Sequence, residues 1–186
     1  MGKKVCILNG SPRPNGNTKE LIRRFTKGAE AAGHEVICFD LQKMAIHGCL
    51  GCCKGGKDES SPCVQKDDME KIYPVYRDAD IVVLASPMYY WGISGQLKTA
   101  FDRLFAVAEL TPDYENPKKE CVLLMAAEGD TESNFAPVRA FYEGLTSHLG
   151  WRNKGSVYAG GNMEAGDILS KPSQLEEAEA LGRAIL

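Results

Sequence analysis

Residues 5–18, Val-Cys-Ile-Leu-Asn-Gly-Ser-Pro-Arg-Pro-Asn-Gly-Asn-Thr, decide the fold of this chain. The apolar run at their start predicts a buried strand, because strands covered on both faces are almost continuously apolar. Gly10-Ser11-Pro12 ends that strand, and Asn17 or Thr18 can cap a helix that runs to about Ala32. A strand followed by a short loop and a helix predicts the first part of a β-α-β unit.

The same alternation continues along the chain. Further strands are predicted at residues 35–41, 81–85, 121–126 and 151–158. Further helices are predicted from Asp67 or Asp68 onward and at residues 96–107, 135–149 and 174–185. Five strands that alternate with helices predict an α/β fold of three layers, a doubly wound parallel sheet covered by helices on both faces. The most apolar strand, 81–85, is expected at the centre of the sheet.

Length and composition restrict the classes of function. The 186 residues fit a single domain, 1–186, in which a cysteine-rich loop at about 42–66 is an insertion. The net charge of −3 and the lack of a basic stripe argue against nucleic-acid binding. The sequence shows no signal peptide and no membrane-spanning stretch, so a cytoplasmic location is expected.

The loop after the first strand has the chemistry of a phosphate site. Its hydroxyls, its amides and one guanidinium precede a helix, whose first N–H groups attract anions. It lacks the Gly-Lys-Ser/Thr ending of a nucleotide-hydrolysing P-loop and the Gly-x-Gly-x-x-Gly of a dinucleotide site. A bound monophosphate fits best, and a surface loop with a helix cap is the alternative.

The loop after the third strand is aromatic. Residues 86–95 read Ser-Pro-Met-Tyr-Tyr-Trp-Gly-Ile-Ser-Gly. Large apolar side chains suit a flat ring system, although a packing cluster or a subunit contact would have the same composition. A phosphate site after one strand and an aromatic surface after another together favour a ligand such as FMN.

These motifs resemble the NADPH-dependent FMN reductase family of flavodoxin-like proteins. The resemblance rests on Gly10–Arg13 with Gly16–Thr18, on Ser86–Tyr89 with Trp91-Gly92, on residues 95–103, and on residues 160–168. It implies a sheet with strand order 2-1-3-4-5. It further implies that the FMN phosphate is bound by Ser11, Arg13, Asn15, Gly16, Asn17 and Thr18. The isoalloxazine ring is expected to border Ser86, Pro87, Met88, Tyr89, Tyr90, Trp91 and Gly92.

The loop after the fourth strand is expected to approach the ring from its other side through Glu128 and Gly129. Glu128 and Asp130 are equally well explained as solvated loop charges. Asp102 and Arg103 are expected on a helix surface or in a subunit contact rather than in catalysis.

Seven cysteines form two groups. Cys6, Cys38 and Cys121 lie in apolar β-type runs and are expected to be small buried residues. The other four lie in the 42–66 loop and resemble the cluster ligands of iron–sulfur flavoproteins: Cys49, Cys52, Cys53 and Cys63. A compact Cys-x-x-Cys-x-x-Cys pattern fails at Gly55, so a lid or dimer-contact loop is favoured over a [4Fe–4S] cluster or Zn²⁺.

The resemblance implies an FMN-dependent oxidoreductase that takes electrons from NAD(P)H and reduces flavin, quinone or similar small acceptors. No side chain is assigned as catalytic, because the flavin supplies the chemistry. The alternative is an electron carrier, flavodoxin-like or an iron–sulfur flavoprotein, that does not use NAD(P)H. A homodimer or homotetramer is expected, because the aromatic and cysteine loops offer apolar surface.

Overall fold

The fold is a five-stranded parallel sheet between two layers of helices. The computed structural model describes residues 2–185, so Met1 and Leu186, the ends of the expected domain, lie outside the described residues. The strands are β1 (Lys4–Asn9), β2 (Glu35–Asp40), β3 (Ile81–Pro87), β4 (Glu120–Ala126) and β5 (Arg152–Ala159). Their order is β2-β1-β3-β4-β5 and every pair is parallel, which confirms the predicted doubly wound, flavodoxin-like sheet.

Six α-helices connect and cover the strands among the described residues. They are α1 (Asn17–Ala31), α2 (Met69–Asp78), α3 (Gly95–Arg103), α4 (Phe105–Ala108), α5 (Glu132–Leu149) and α6 (Pro172–Ala184). α1 and α6 pack on one face of the sheet, and α2 to α5 pack on the other. None of the helices within residues 2–185 combines the length and apolar character needed to cross a bilayer.

β3 lies at the centre of the sheet, as its composition predicts. Residues 81–86 are all buried. Val82 and Leu84 contribute to the core beneath α2 to α5, whereas Ile81, Val83 and Ala85 contribute to the core beneath α1 and α6. A strand with both faces covered must be apolar at every position, which is why this run shows no alternation.

α1 and α6 meet at their backbones. A Cβ atom on Gly28 would collide with the carbonyl oxygen of Glu179, and one on Gly182 would collide with the carbonyl oxygen of Phe25. The two glycines therefore allow an approach that no larger residue permits. The first and last helices of the described chain are the pair in closest contact.

Two predictions about local structure are wrong. The single helix predicted at 96–107 is interrupted at Leu104, because the Tyr73 hydroxyl donates to the Arg103 carbonyl and the Val107 amide turns to Leu104 instead. Cys38 is exposed, unlike the buried Cys6 and Cys121, because it lies on the edge strand β2.

Candidate functional site

A cleft of about 220 Å³ opens at the carboxyl ends of β1, β3, β4 and β5. This is the edge of the sheet where the order reverses between β1 and β3, the usual ligand position in doubly wound folds. The cleft is lined by Ser11, Arg13, Gly16, Asn17, Thr18, Pro87, Met88, Tyr89, Ala126, Ala127, Glu128, Asn162 and Met163.

The amino end of α1 forms one end of the cleft. Gly16 is the residue before the helix, in an extended conformation, and no side chain caps the helix there. The amides of Asn17 and Thr18 precede any intrahelical acceptor, so they are open to an anion. Ser11 and Thr18, both buried in the wall, add hydroxyl groups beside them.

Asn17 does not cap α1, contrary to the prediction. Its side-chain amide donates to the carbonyls of Asn162 (3.3 Å) and Glu164 (2.8 Å). Its Oδ1 accepts from the amides of Gly166 (3.1 Å) and Ile168 (3.3 Å). The side chain is thus fully engaged with the loop after β5, and it fixes that loop against α1 as a wall of the cleft.

Ser94 joins the loops after β1 and β3. It caps α3 through the Leu97 amide (3.3 Å) and donates its hydroxyl proton to the Gly10 carbonyl (2.8 Å). Its own amide donates to the hydroxyl of Ser86 (2.8 Å), which is wholly buried. Gly10 accommodates this contact because a Cβ there would lie 2.7 Å from that of Leu97. Ser86 is therefore a buried residue that holds Ser94 in place and does not itself face the cleft.

A charged network lies behind the β1–α1 loop. Asp40, at the end of β2, accepts from Lys19 (2.6 Å), Asn9 (2.9 Å) and Lys43 (3.2 Å). Burial alone would raise the pKa of the Asp40 carboxyl, but these hydrogen bonds and the Lys19 charge lower it to about 2. Asn9 also accepts from the Ser11 amide through Oδ1 (3.0 Å), so the network orients the loop that enters the cleft.

The aromatic loop is a tight turn with unusual backbone. Tyr89 and Gly92 exchange two hydrogen bonds (3.1 and 3.0 Å), and the residues between them, Tyr90 and Trp91, both have positive φ, 47° and 59°. Turns with two positive φ angles are normally made by Asn-Gly or Gly-Gly, so two large aromatic residues carry strain here. Tyr90 is 97% exposed and Trp91 56% exposed, which indicates that the turn presents them outward.

The loops after β4 and β5 complete the cleft. The amides of Gly161 and Asn162 donate to the carbonyls of Glu128 and Ala127, at 2.8 Å each. Lys171 donates to the carbonyls of residues 160 and 161 and to the Asn162 side chain, and so holds the turn from below.

Arg13 crosses the open side of the cleft. One of its guanidinium nitrogens donates to the Met163 carbonyl at 2.7 Å, while the residue stays exposed. Arg13 and Asn17 therefore both join the start of the chain to the loop after β5, Arg13 through Met163 and Asn17 through the hydrogen bonds described above.

The structure brings together nine of the fifteen predicted cofactor-binding residues: Ser11, Arg13, Gly16, Asn17, Thr18, Pro87, Met88, Tyr89 and Glu128. Six lie outside the lining of the cleft: Asn15, Ser86, Tyr90, Trp91, Gly92 and Gly129. The role of all fifteen residues in cofactor binding stays a prediction. Sequence reasoning assigned no role to Asn162 and Met163, although they lie in the 160–168 stretch that carries the family resemblance.

Arg103 is not a surface residue, contrary to the prediction. Its side chain is 1% exposed and forms an ion pair with Asp67, whose side chain is 2% exposed, at 2.7 Å. Burial alone would raise the pKa of the Asp67 carboxyl, but hydrogen bonds from Arg103 and from the His47 and Met69 amides lower it to about 2. The pair lies at the base of the cysteine loop.

The sheet order and the cleft at its carboxyl edge define a flavodoxin-like α/β protein. The chain belongs to the NADPH-dependent FMN reductase family, whose model matches residues 3–162.

Similar proteins fall into two groups by name. An iron–sulfur flavoprotein of Archaeoglobus fulgidus is 38% identical over 102 residues, which are 55% of this chain and 45% of that protein. A Bacillus subtilis protein named provisionally as an NAD(P)H-dependent FMN-containing oxidoreductase is 26% identical over 182 residues, 96% of each chain. The chain thus spans about half the length of the iron–sulfur flavoproteins to which it is similar.

Among solved structures, the NAD(P)H:quinone oxidoreductase from Methanothermobacter marburgensis has the same fold, with a TM-score of 0.77 and 23% identity. The match covers 98% of this chain and 96% of that one.

Proposed function

We propose that this chain is an FMN-dependent oxidoreductase, a single FMN-binding domain that uses NAD(P)H to reduce quinones, flavins or similar small acceptors. One observation carries the proposal: the cleft combines an open helix end and hydroxyl groups with Pro87, Met88 and Tyr89 from the loop after β3. A monophosphate joined to a flat ring has matching chemistry. Bound FMN would accept a hydride and pass on electrons singly or in pairs.

The residues of the chain bind and orient the cofactor in this proposal. The amides of Asn17 and Thr18, with the hydroxyls of Ser11 and Thr18, hold the phosphate. Arg13 contributes a positive charge from the open side. Residues 87–89 border the ring, and the loops after β4 and β5 close the far side and limit the access of water.

A spectrum of the purified, anaerobic protein tests the activity. Flavin absorption that bleaches on addition of NADPH or NADH supports the reductase. Flavin absorption that bleaches only with dithionite would contradict the reductase proposal. It would favour an electron carrier, the alternative suggested by the similarity to iron–sulfur flavoproteins.

The phosphate site has its own test, the ratio of the affinities for FMN and riboflavin. Removing the wall hydroxyls in Ser11→Ala and Thr18→Val should weaken FMN binding and leave riboflavin binding unchanged, because only FMN carries the phosphate. Ser60→Ala, an exposed hydroxyl in the cysteine loop, is the control. Equal losses for both ligands would show that the phosphate binds elsewhere.

The proposal includes a cytoplasmic location and a homo-oligomer. The unpaired state of all seven cysteines is consistent with a reducing compartment. Exposed apolar side chains in the aromatic and cysteine loops support association: Leu50, Val64, Tyr90 and Trp91. Light scattering on the wild type and on Trp91→Ser distinguishes a dimer or tetramer from a monomer.

A further inference from the structure

The cysteine loop, residues 42–66, carries four thiols but is held by other groups. Its two ends meet in a neck, where Ala45 and Asp68 exchange two hydrogen bonds (2.8 and 3.1 Å). The Gln65 side chain donates to the Gly48 carbonyl (3.0 Å) and the His47 amide donates to Asp67 (3.0 Å). The neck is therefore closed by backbone and side-chain hydrogen bonds.

Arg103 ties this neck to α3 from inside the protein. Its guanidinium donates to the carbonyls of His47 (2.8 Å) and Gln65 (3.4 Å) and to both oxygens of Asp67 (2.7 and 3.2 Å). One buried cation thus contacts both ends of the loop. A buried charge with several hydrogen-bond partners holds a fixed geometry, because each lost contact leaves it uncompensated.

The far part of the loop packs on the end of α4. Gly56 donates its amide to the Pro62 carbonyl (2.9 Å). A Cβ on Gly55 would collide with the Glu109 carboxylate and lie 2.7 Å from the Pro62 oxygen, and one on Gly56 would collide with the backbone of Glu109. Position 55 is where a compact cluster pattern needs its third cysteine, so the packing itself excludes a thiol there.

The four thiols do not form a ligand set. Cys49 accepts from the Gly51 amide at 3.4 Å, and Cys53, with a positive φ of 46°, points to the Gly51 carbonyl at 4.0 Å. Cys63 packs against the core beside Tyr73. Within residues 2–185, no three Cys, His, Asp or Glu side chains lie close enough to coordinate one metal ion. A [4Fe–4S] cluster needs four thiolates around one centre.

We infer that the cysteine loop of this chain holds no iron–sulfur cluster and that the buried Arg103–Asp67 pair keeps the loop folded in its place. The chain then departs from the iron–sulfur flavoproteins it resembles in sequence. This inference does not depend on the proposed reductase activity, because it concerns what fills and holds the loop.

The first test is the iron and acid-labile sulfide content after anaerobic reconstitution with ferrous iron and sulfide. We expect iron at the level of the buffer blank after desalting, with flavin bands as the only visible absorption. About four irons per chain with broad absorption beyond the flavin bands would overturn the inference. Loss of NAD(P)H-dependent bleaching would count against the proposed function and leave this result unchanged.

The second test asks what keeps the loop folded, by hydrogen exchange of residues 45–68. A variant with all four loop cysteines changed to Ser should keep the protection of the wild type, whereas Arg103→Met should lose it. Lys98→Met, which removes an exposed ion pair on the same helix, is the matched control. Loss of protection in the four-serine variant would overturn the inference. Protection at the wild-type level in Arg103→Met would overturn the role of the ion pair. If Arg103→Met does not accumulate as folded protein, Asp67→Asn takes its place as the test of the same pair, with the same outcome deciding.

Discussion

The variant Asn17→Ala tests whether the Asn17 side chain binds the phosphate, as the sequence predicts, or holds the loop after β5, as the structure indicates. In the structure its side chain binds the loop after β5 through four hydrogen bonds and offers no free group to a ligand. Each such bond contributes about 0.5–1.5 kcal/mol net, and the 2.8 Å bond to Glu164 is the strongest by geometry. Because three of the four are longer than 3.0 Å, we expect a loss of about 2–4 kcal/mol in the free energy of unfolding.

The assay is thermal and urea unfolding of the flavin-free protein. For a domain of this size, 1 kcal/mol shifts Tm by about 2–4 °C, so a loss of about 2–4 kcal/mol in Asn17→Ala should lower Tm by roughly 4–16 °C without any ligand. Asn15→Ala, two residues away in the loop before α1 and exposed, is the control and should change Tm by under about 2 °C. An unchanged Tm combined with a large loss of FMN affinity would refute the reasoning, because it would make the Asn17 side chain a direct ligand.

Three further outcomes follow from the geometry. The lowered pKa of Asp67 contributes stability that is present above pH 4 and is lost as pH falls through about 2. The urea midpoint of the wild type should therefore fall between pH 4 and pH 2, and in Asp67→Asn it should depend less on pH over that range. Gly10→Ala should destabilise the flavin-free protein by about 1–3 kcal/mol in urea unfolding, because the added methyl meets the Ser94 hydroxyl. Replacing Tyr90-Trp91 by Asn-Gly should raise Tm by a few degrees, because it removes about 1–2 kcal/mol of strain, and should reduce association in light scattering.

Controls make these outcomes specific. Asp113→Asn, an exposed acid in a surface loop, should leave the pH profile unchanged. Gly144→Ala has open space at its Cβ and should be neutral or stabilising. A lower Tm in the Asn-Gly variant would mean that the aromatic residues contribute more packing than strain.

The sheet and the place of the cleft could be predicted from the sequence because they depend on local patterns. The apolar run at 81–85 and the loop after the first strand show buried strands and a helix start without reference to the rest of the chain. The structure confirms the strand order, whereas the binding roles of the loop residues stay predictions.

The features that could not be predicted from the sequence are contacts between residues far apart in the chain and a turn that its residues do not favour. Arg103 is buried because Asp67, 36 residues earlier, receives its guanidinium. The Asn17 side chain forms its hydrogen bonds with residues almost 150 positions later. Tyr90 and Trp91 adopt positive φ angles against their own preference, so no local rule predicts their turn.

The contact between α1 and α6, which Gly28 and Gly182 permit, joins the two helices that are farthest apart in the described sequence. Arg24 and Glu179 touch across 155 residues of chain. At about 5–20 residues per second, the ribosome releases the second partner roughly 8–30 seconds after the first. Over that interval the apolar side of α1, with Leu21 and Phe25, has no helix beside it. In the nascent chain this side of α1 therefore stays uncovered by α6 until residues 172–184 have been synthesised.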